Sequence, residues 1–383
     1  MDNIAGTKSS LTWAVNISVV VLVVLWLFPT VGLLVSSFRT ADQIATSGWW
    51  KAMFPAEQNL VLRAADPDEA RAPKGDLFVV ESNLFEAGSE AEISVWGTSS
   101  REISAYQAGE TADLGEGETM TVEANGDYVW TGTEDQLTGR GQRVFVTAVT
   151  PPEFTLDNYK TVLFSGSSTD NMAKAFFNTL TVTIPATIIP IVVAAFAAYA
   201  LAWMDFKGRA LLIAVIVGLL VVPLQLALIP LLKLHLSIGI GKGYLGVWLA
   251  HTGFGLPLAI YLLRNYMVGL PRDIIENAKV DGATDFQIFT KIILPLSFPA
   301  LASFAIFQFL WTWNDLLVAK VFLIDASGDT TVMTNQIVEL LGTRGGNWEI
   351  LATAAFVSIS VPLIVFFAMQ KYLVRGLLAG SVK

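Results

Sequence analysis

The chain has 383 residues, of which 53% are hydrophobic and 15% charged, and none is cysteine. So apolar a balance does not fit an ordinary soluble domain of this length, and the absence of thiols excludes disulfide bracing, thiolate metal sites and a cysteine nucleophile. The formal charge of −9 is unevenly spread, because residues 38 to 172 hold 22 of the 33 Asp and Glu but only nine of the 24 Lys and Arg.

The first apolar stretch, about 12 to 38, is longer than a secretory h-region and lacks a small-residue cleavage site after it, which predicts a retained membrane span. Residues 1–50 are thus read as an N-terminal transmembrane helix with its outer flank. The chain then changes character. From 51 to 150, Asp, Glu, Gly and Ser punctuate short alternating runs: Ile93 and Val95, then Met120, Val122 and Ala124, then Tyr128 and Trp130, then Val144, Val146 and Ala148. Alternation of this kind is the mark of half-buried strands, and Asn125-Gly126 between two runs is a hairpin signal. The segment is expected to be a β-sandwich or barrel-like module with no catalytic constellation.

Residues 151–383 form the remaining core. A bilayer needs about 20 apolar residues per helix, and segments near 174–203, 209–233, 243–268, 295–322 and 349–373 meet this, giving six transmembrane helices with the first. Short basic loops fall on one side, with Lys207 and Arg209, then Arg264, Arg272, Lys279 and Lys291, then Lys371, Arg375 and Lys383. The positive-inside rule makes that side cytoplasmic, places both termini inside and leaves 51–150 outside. Pro185, Pro190, Pro223, Pro230, Pro299 and Pro362 interrupt the spans, either as gate-forming kinks or as the ordinary proline usage of membrane helices.

Between spans four and five lies an amphipathic stretch, 269–295. Asp273 with Glu276, and Thr284 with Gln287, have capping-box spacing, which predicts two short helices with Gly282 at the break and Pro295 at the end of the second. Ile275, Ala278 and Gly282 fall on one face. That face either seats in a partner's groove or packs on the chain's own helix ends.

The stretch resembles the EAA loop of binding-protein-dependent ABC importer permeases, with Glu276, Ala278, Gly282, Ile292, Leu294 and Pro295 at the family spacing and Asn277 in place of an alanine. The similarity extends from Phe154 to the C-terminus and points to the carbohydrate branch, the smaller membrane subunit of maltose and alpha-glucoside type importers. It is carried by Phe154-Thr155-Leu156-Asp157-Asn158-Tyr159, Phe177-Asn178-Thr179-Leu180, Trp313-Asn314 and the Gly376 to Lys383 tail.

What the resemblance implies is an all-α polytopic permease of MetI-like fold in the cytoplasmic membrane; it does not cover the 51–150 segment, whose reading as a β-rich periplasmic insert stands on the alternation and the basic loops above. It implies a second homologous permease, an ATPase dimer beneath and a periplasmic solute-binding protein above, with a small sugar as cargo. ATP and magnesium then belong to the partner ATPase subunits, and this chain binds no cofactor. Glu276, Asp281 and Gly282, with Ile275, Ala278, Leu294 and Pro295, are the implied ATPase-coupling residues. The tail Gly380, Ser381, Val382 and Lys383 is implied to reach the ATPase, and the 325–348 loop with Gly328, Gly342, Gly345 and Gly346 occupies the position of a loop that probes the binding protein.

Gln225, Asn314 and Asp315 lie in apolar spans and are candidates for a substrate path, since lipid exposure of polar groups is costly. Trp311 and Trp313 either stack on sugar or form an interfacial belt. The belt is favoured for Trp313 by its depth, roughly 27 Å from Pro295 at 1.5 Å per residue. His235 and His251 stand alone and read as structural, so no metal site is expected. No P-loop sequence occurs, no basic-aromatic patch suggests nucleic acid, and no catalytic residues are assigned. The rival readings are an ABC permease for peptide, amino acid or anion, a secondary transporter, which would show inverted repeats or buried ion-pair chains, and a membrane-anchored enzyme, which the insert's lack of His and Cys disfavours.

Overall fold

The computed structural model describes residues 10–85, 90–164, 172–324, 327–343 and 346–379. The chain divides into two units, Met1–Asn158 with Asn347–Ala352, and Tyr159–Gly346 with Thr353–Lys383.

The first unit begins with α1 (Ser10–Ser36). Its side chains are apolar on every side and exposed from Leu11 to Phe28, as lipid as solvent requires. After it the chain is tied down by buried polar groups. Arg39 donates through Nη2 to the Gln43 carbonyl at 2.6 Å and through Nη1 to that of Ser47 at 2.9 Å, around the short helix α2 (Ala41–Thr46). Asn158 Nδ2 donates to the carbonyls of Ser37 and Arg39 at 3.0 and 2.9 Å. Phe28 packs on Trp49 with ring centroids 4.6 Å apart.

The insert holds β1 (Ala56–Arg63), α3 (Pro67–Ala70), β2 (Arg71–Lys74), β3 (Leu77–Asn83), β4 (Glu92–Gly97), β5 (Tyr106–Gln107), β6 (Thr111–Gly115), β7 (Glu118–Val122), β8 (Asp127–Gly132) and β9 (Arg143–Thr150). They form two sheets, ordered β1-β9-β4-β5 and β2-β3-β8-β7-β6. Alternate residues of both sheets close one core, with Ile93, Trp96, Val144, Val146 and Ala148 from the first against Val80, Met120, Val122, Tyr128 and Trp130 from the second. This is a sandwich. Its β7–β8 hairpin turns at Asn125-Gly126, where Gly126 has φ +87°. The first and last strands pair along their whole length, Ala56 opposite Thr150 and Arg63 opposite Arg143.

The remaining helices are α4 (Asp157–Phe164), α5 (Met172–Trp203), α6 (Arg209–Leu219), α7 (Leu224–Ser237), α8 (Tyr244–Val268), α9 (Arg272–Val280), α10 (Asp285–Ile288), α11 (Leu294–Leu296), α12 (Phe298–Trp313), α13 (Leu317–Phe322), α14 (Met333–Thr343) and α15 (Trp348–Ala379). Four helices, Leu11–Ser36, Met172–Trp203, Tyr244–Val268 and Trp348–Tyr372, are each long and apolar enough to cross a membrane. The predicted third and fifth spans are not single helices. α6 and α7 are bent by 110°, and the 285–296 helix meets α12 at 70°, so among the described residues six spans are reached only if each bent pair counts as one. Proline explains both breaks: Pro223 occupies the N-cap of α7 and Pro299 lies in the first turn of α12, positions where its missing donor costs nothing.

α5, α8 and α12 pack together around small residues, with Ala194, Ala195, Ala198, Ala259 and Ala300 buried among Leu263, Met267 and Phe304. A second cluster, of Val182, Leu228, Val247, Val318 and Phe322, joins α5, α7, α8 and α13.

Candidate functional site

α9 starts abruptly after the turn that ends α8. Pro271 is its N-cap and offers no side-chain hydrogen bond. The predicted Asp273–Glu276 capping box is therefore absent, because Pro271 sets the first turn and Asp273 already lies inside the helix. The helix stops by a Schellman arrangement: Gly282, at φ +82°, donates its N–H to the Lys279 carbonyl at 3.0 Å, and Ala283 donates to that of Ala278 at 3.0 Å. A left-handed C′ residue of this kind is the reason for glycine at the break.

One residue later Thr284 caps the next helix with both halves of the predicted box. Gln287 N–H donates to Thr284 Oγ1 at 3.3 Å, and Thr284 N–H donates to Gln287 Oε1 at 2.9 Å. Pro295 does not end this second helix. α10 continues through a π-helical turn, Phe289–Ile293, into α11, and the break comes at Ser297. The N–H that Pro295 lacks falls just after the π turn, where the backbone ladder is already shifted.

The loop is seated on the permease core. Ile275, Ile288, Phe289 and Ile293 are all 3% exposed or less and join the α5–α8–α12 cluster, with Ala278, Ala283, Ile292 and Leu294 packed against it. Phe289 packs at a tilt against Phe196 and Tyr199 with centroids 4.7 and 5.2 Å away. Tyr199 Oη donates to Asp285 Oδ1 at 3.3 Å. Of the small apolar face read from the sequence, Ile275 and Ala278 thus turn inward, and Ile275 is not free to enter a partner's groove. Glu276, Asp281, Gly282 and Pro295 are exposed. Beside them stand apolar residues that periodicity did not single out, Val280 at 86% and Phe286 at 64% exposure. The signal was available, because an apolar side chain on the polar face of so amphipathic a helix is out of pattern.

The polar residues of the spans divide. Trp313 is 1% exposed, stacked on Phe309 at 5.6 Å, edge-on to Phe176, with Nε1 donating to the Ser358 carbonyl at 3.0 Å. It is a core residue, neither in a path nor in a belt, because its facing, which depth does not determine, is inward. Trp311 is 43% exposed. Asn314 is exposed and donates to the Leu310 carbonyl of its own helix at 2.8 Å, and Gln225 is exposed at the start of α7. Asp315 caps α13, accepting from the Ala319 N–H through Oδ2 at 2.9 Å and from the Val318 N–H through Oδ1 at 3.3 Å, with His251 Nε2 3.7 Å from Oδ2. Gln308 Nε2 donates to the Ala186 carbonyl at 3.1 Å. Sequence gave no sign of the His251–Asp315 contact. His235 is buried against Phe322.

The segment after α13 is stitched to the start of α5. Lys174 pairs with Asp329, whose carboxyl its ammonium holds below the usual carboxylate range, and Asn178 Nδ2 donates to the Asp329 and Thr331 carbonyls at 2.9 Å each. Gly345 and the tail Gly380, Ser381, Val382 and Lys383 lie outside the described residues.

With its bent apolar helices and the helix pair seated on them, the chain is a transport permease by family: it belongs to the binding-protein-dependent transport system inner membrane components, whose model matches residues 163–378. It is 60% identical over 381 residues, 98% of each chain, to the alpha-glucoside transport system permease protein AglG of Rhizobium meliloti (strain 1021). It is also 57% identical to the osmoprotective compounds uptake permease protein GgtD of Synechocystis sp. over 60% of this chain and 76% of that one. With the trehalose transport system permease protein SugB of Mycobacterium tuberculosis it shares 34% identity over 61% of this chain and 84% of that one.

Proposed function

We infer that this chain is the smaller permease subunit of an ATP-driven importer, and that its cargo is an alpha-glucoside. The cargo reading rests on one observation: the identity with the alpha-glucoside permease runs through 98% of the chain, insert included, whereas that with the osmoprotectant permease spans 60%. In this reading six spans cross the cytoplasmic membrane with both termini inside and residues 51–150 outside. A second permease completes the pore, an ATPase dimer carries ATP and magnesium, and a solute-binding protein delivers the sugar. The chain itself performs no hydrolysis.

The coupling element is the helix pair 272–296. Its inner face is fused to α5 and α8 by Ile275, Ile288 and Phe289, so a push on its outer face is passed to the spans rather than absorbed. Glu276 meets the ATPase as a charged contact, flanked by Val280 and Phe286 as apolar anchors and by Asp281. Gly282 keeps the two short helices at a fixed angle. Ala278 and Leu294 support the seat, Pro295 lies on the exposed side with Glu276, and Gly380 to Lys383 reach the ATPase from the tail. Asn314, Asp315 and Gln225 remain path candidates.

Glu276→Lys and Gly282→Asp should each leave membrane insertion intact and abolish uptake of radiolabelled alpha-glucoside together with ATPase co-purification. For Gly282→Asp the strain of a left-handed non-glycine residue, about 1–2 kcal/mol, is small against the loss of the contact. Normal uptake by either variant overturns the coupling assignment, and uptake of another solute class in preference to sugars overturns the cargo.

A further inference from the structure

Between residues 56 and 150 the insert has 18 Asp and Glu but only six Lys and Arg. Two of those cations are paired as such a surface favours, Arg71 with Glu134 at 3.2 Å and Lys74 with Glu81 at 3.1 Å. The other four are Arg63, Arg101, Arg140 and Arg143, and among the described residues none has a carboxylate within ion-pair distance. Arg63, Arg140 and Arg143 line one open cleft of about 470 Å³ with Thr98, Ser99 and Ser100, and Arg101 follows directly in the chain.

Two features make this more than a chance grouping. Arg63 and Arg143 face each other across β1 and β9, and like charges directly opposite destabilise a sheet, so the pairing itself is a cost to the fold. Close backbone contacts also underlie the cleft. Arg63 Nη1 donates to the Gly141 carbonyl at 2.7 Å. A Cβ on Gly141 would lie 1.9 Å from the Ala64 carbonyl oxygen, and one on Gly97 2.2 Å from that of Glu102, so both rims rest on backbone held close to backbone.

Guanidinium forks beside hydroxyls match carboxylate oxygens. The cleft is open to solvent, where a free anion stays hydrated and gains little from exposed charges. A protein surface that covers it expels the water and strengthens each contact. Resting on the reading of the chain as an importer permease with its insert outside, we propose that this arginine cleft docks a carboxylate-bearing projection of the solute-binding protein. The acidic remainder of the insert repels such a projection elsewhere, so the cleft fixes where it lands.

The assembled transporter in lipid nanodiscs, titrated with its solute-binding protein at low and high salt, tests this. In the Arg140→Glu/Arg143→Glu variant the affinity falls about tenfold or more at low salt, and its salt dependence flattens. The milder Arg140→Gln/Arg143→Gln variant loses less. Unchanged tryptophan fluorescence and subunit stoichiometry exclude misfolding, and the Gln pair carries the test if the Glu pair does not assemble. Unchanged affinity and salt slope in both variants overturn the proposal while leaving the importer reading intact. Failure of the unaltered transporter to bind any solute-binding protein overturns both. Thermal stabilisation by inorganic phosphate, lost in the variants while docking is unchanged, overturns it in favour of a small free anion.

Discussion

Tyr128 sits 1% exposed in the sandwich core, and its hydroxyl accepts the Ala65 N–H at 2.6 Å. Burial pushes the phenol above its ordinary value, against the opposing pull of the hydrogen bonds that Ala65 and Ser82 offer it. A folded value raised above the unfolded one, near 10, means that the contribution to stability is complete below that pH and is lost as pH rises through the folded value. Tyr128→Phe leaves the Ala65 donor without its acceptor, which should cost the insert about 1–2 kcal/mol at neutral pH. The variant should also lose less stability than the parent between roughly pH 9 and 12, the range bracketing phenol ionisation. Urea unfolding of the full chain, followed by tryptophan fluorescence at several pH values, checks both. Parallel pH profiles for the two proteins would remove the ionisation argument.

At this scale some chemistry was legible and some was not. The Thr284–Gln287 box and the Gly282 stop were readable because each is decided by neighbours within six residues. The Asp273–Glu276 box was misread because Pro271 sets the helix start first. Trp313 was misread because distance along a helix says nothing about which way a side chain faces. His251 and Asp315 are 64 positions apart, and nothing local marks their meeting.

Among the elements, the strands that alternate cleanly were legible, and β3 was not. Its Phe78-Val79-Val80 run is continuous rather than alternating, and β5 is only two residues long. The broken spans were hidden because hydropathy averages over a break of four residues or fewer. The seam between α8 and α12 gives a sharper test of element packing. Gly255 has Gln308 so near that a Cβ would lie 2.6 Å from Oε1, and Gln308 is 1% exposed with its amide held by the Ala186 carbonyl. Gly255→Ala should therefore cost about 1–3 kcal/mol by overpacking. Gln308→Ala should also destabilise, through a cavity. Because the second change removes the obstacle to the first, the double variant should be more stable than the sum predicts by at least about 0.5 kcal/mol. Thermal unfolding in detergent measures the cycle, and strict additivity would mean that the helices part to admit the methyl group.

For the whole molecule, what matters is that the insert is returned to the chain where it left. Ala56 and Thr150 are antiparallel neighbours, about 5 Å apart in such a pairing, so a few Gly and Ser residues can replace 57–149 without stretching the flanks. The family match begins beyond the insert, at residue 163, and the α5–α8–α12 core contains no residue from it. The shortened chain should therefore insert in the membrane, assemble with its ATPase and keep its dependence on Glu276. It should bind the solute-binding protein more weakly, because the arginine cleft is gone, and transport should fall in proportion at limiting binding protein while recovering at saturating concentrations. That recovery separates a docking role from a gating one, since a lost gate is not restored by mass action. Equal affinity and equal uptake by the shortened and full chains would mean that the insert takes no part in delivery of the solute.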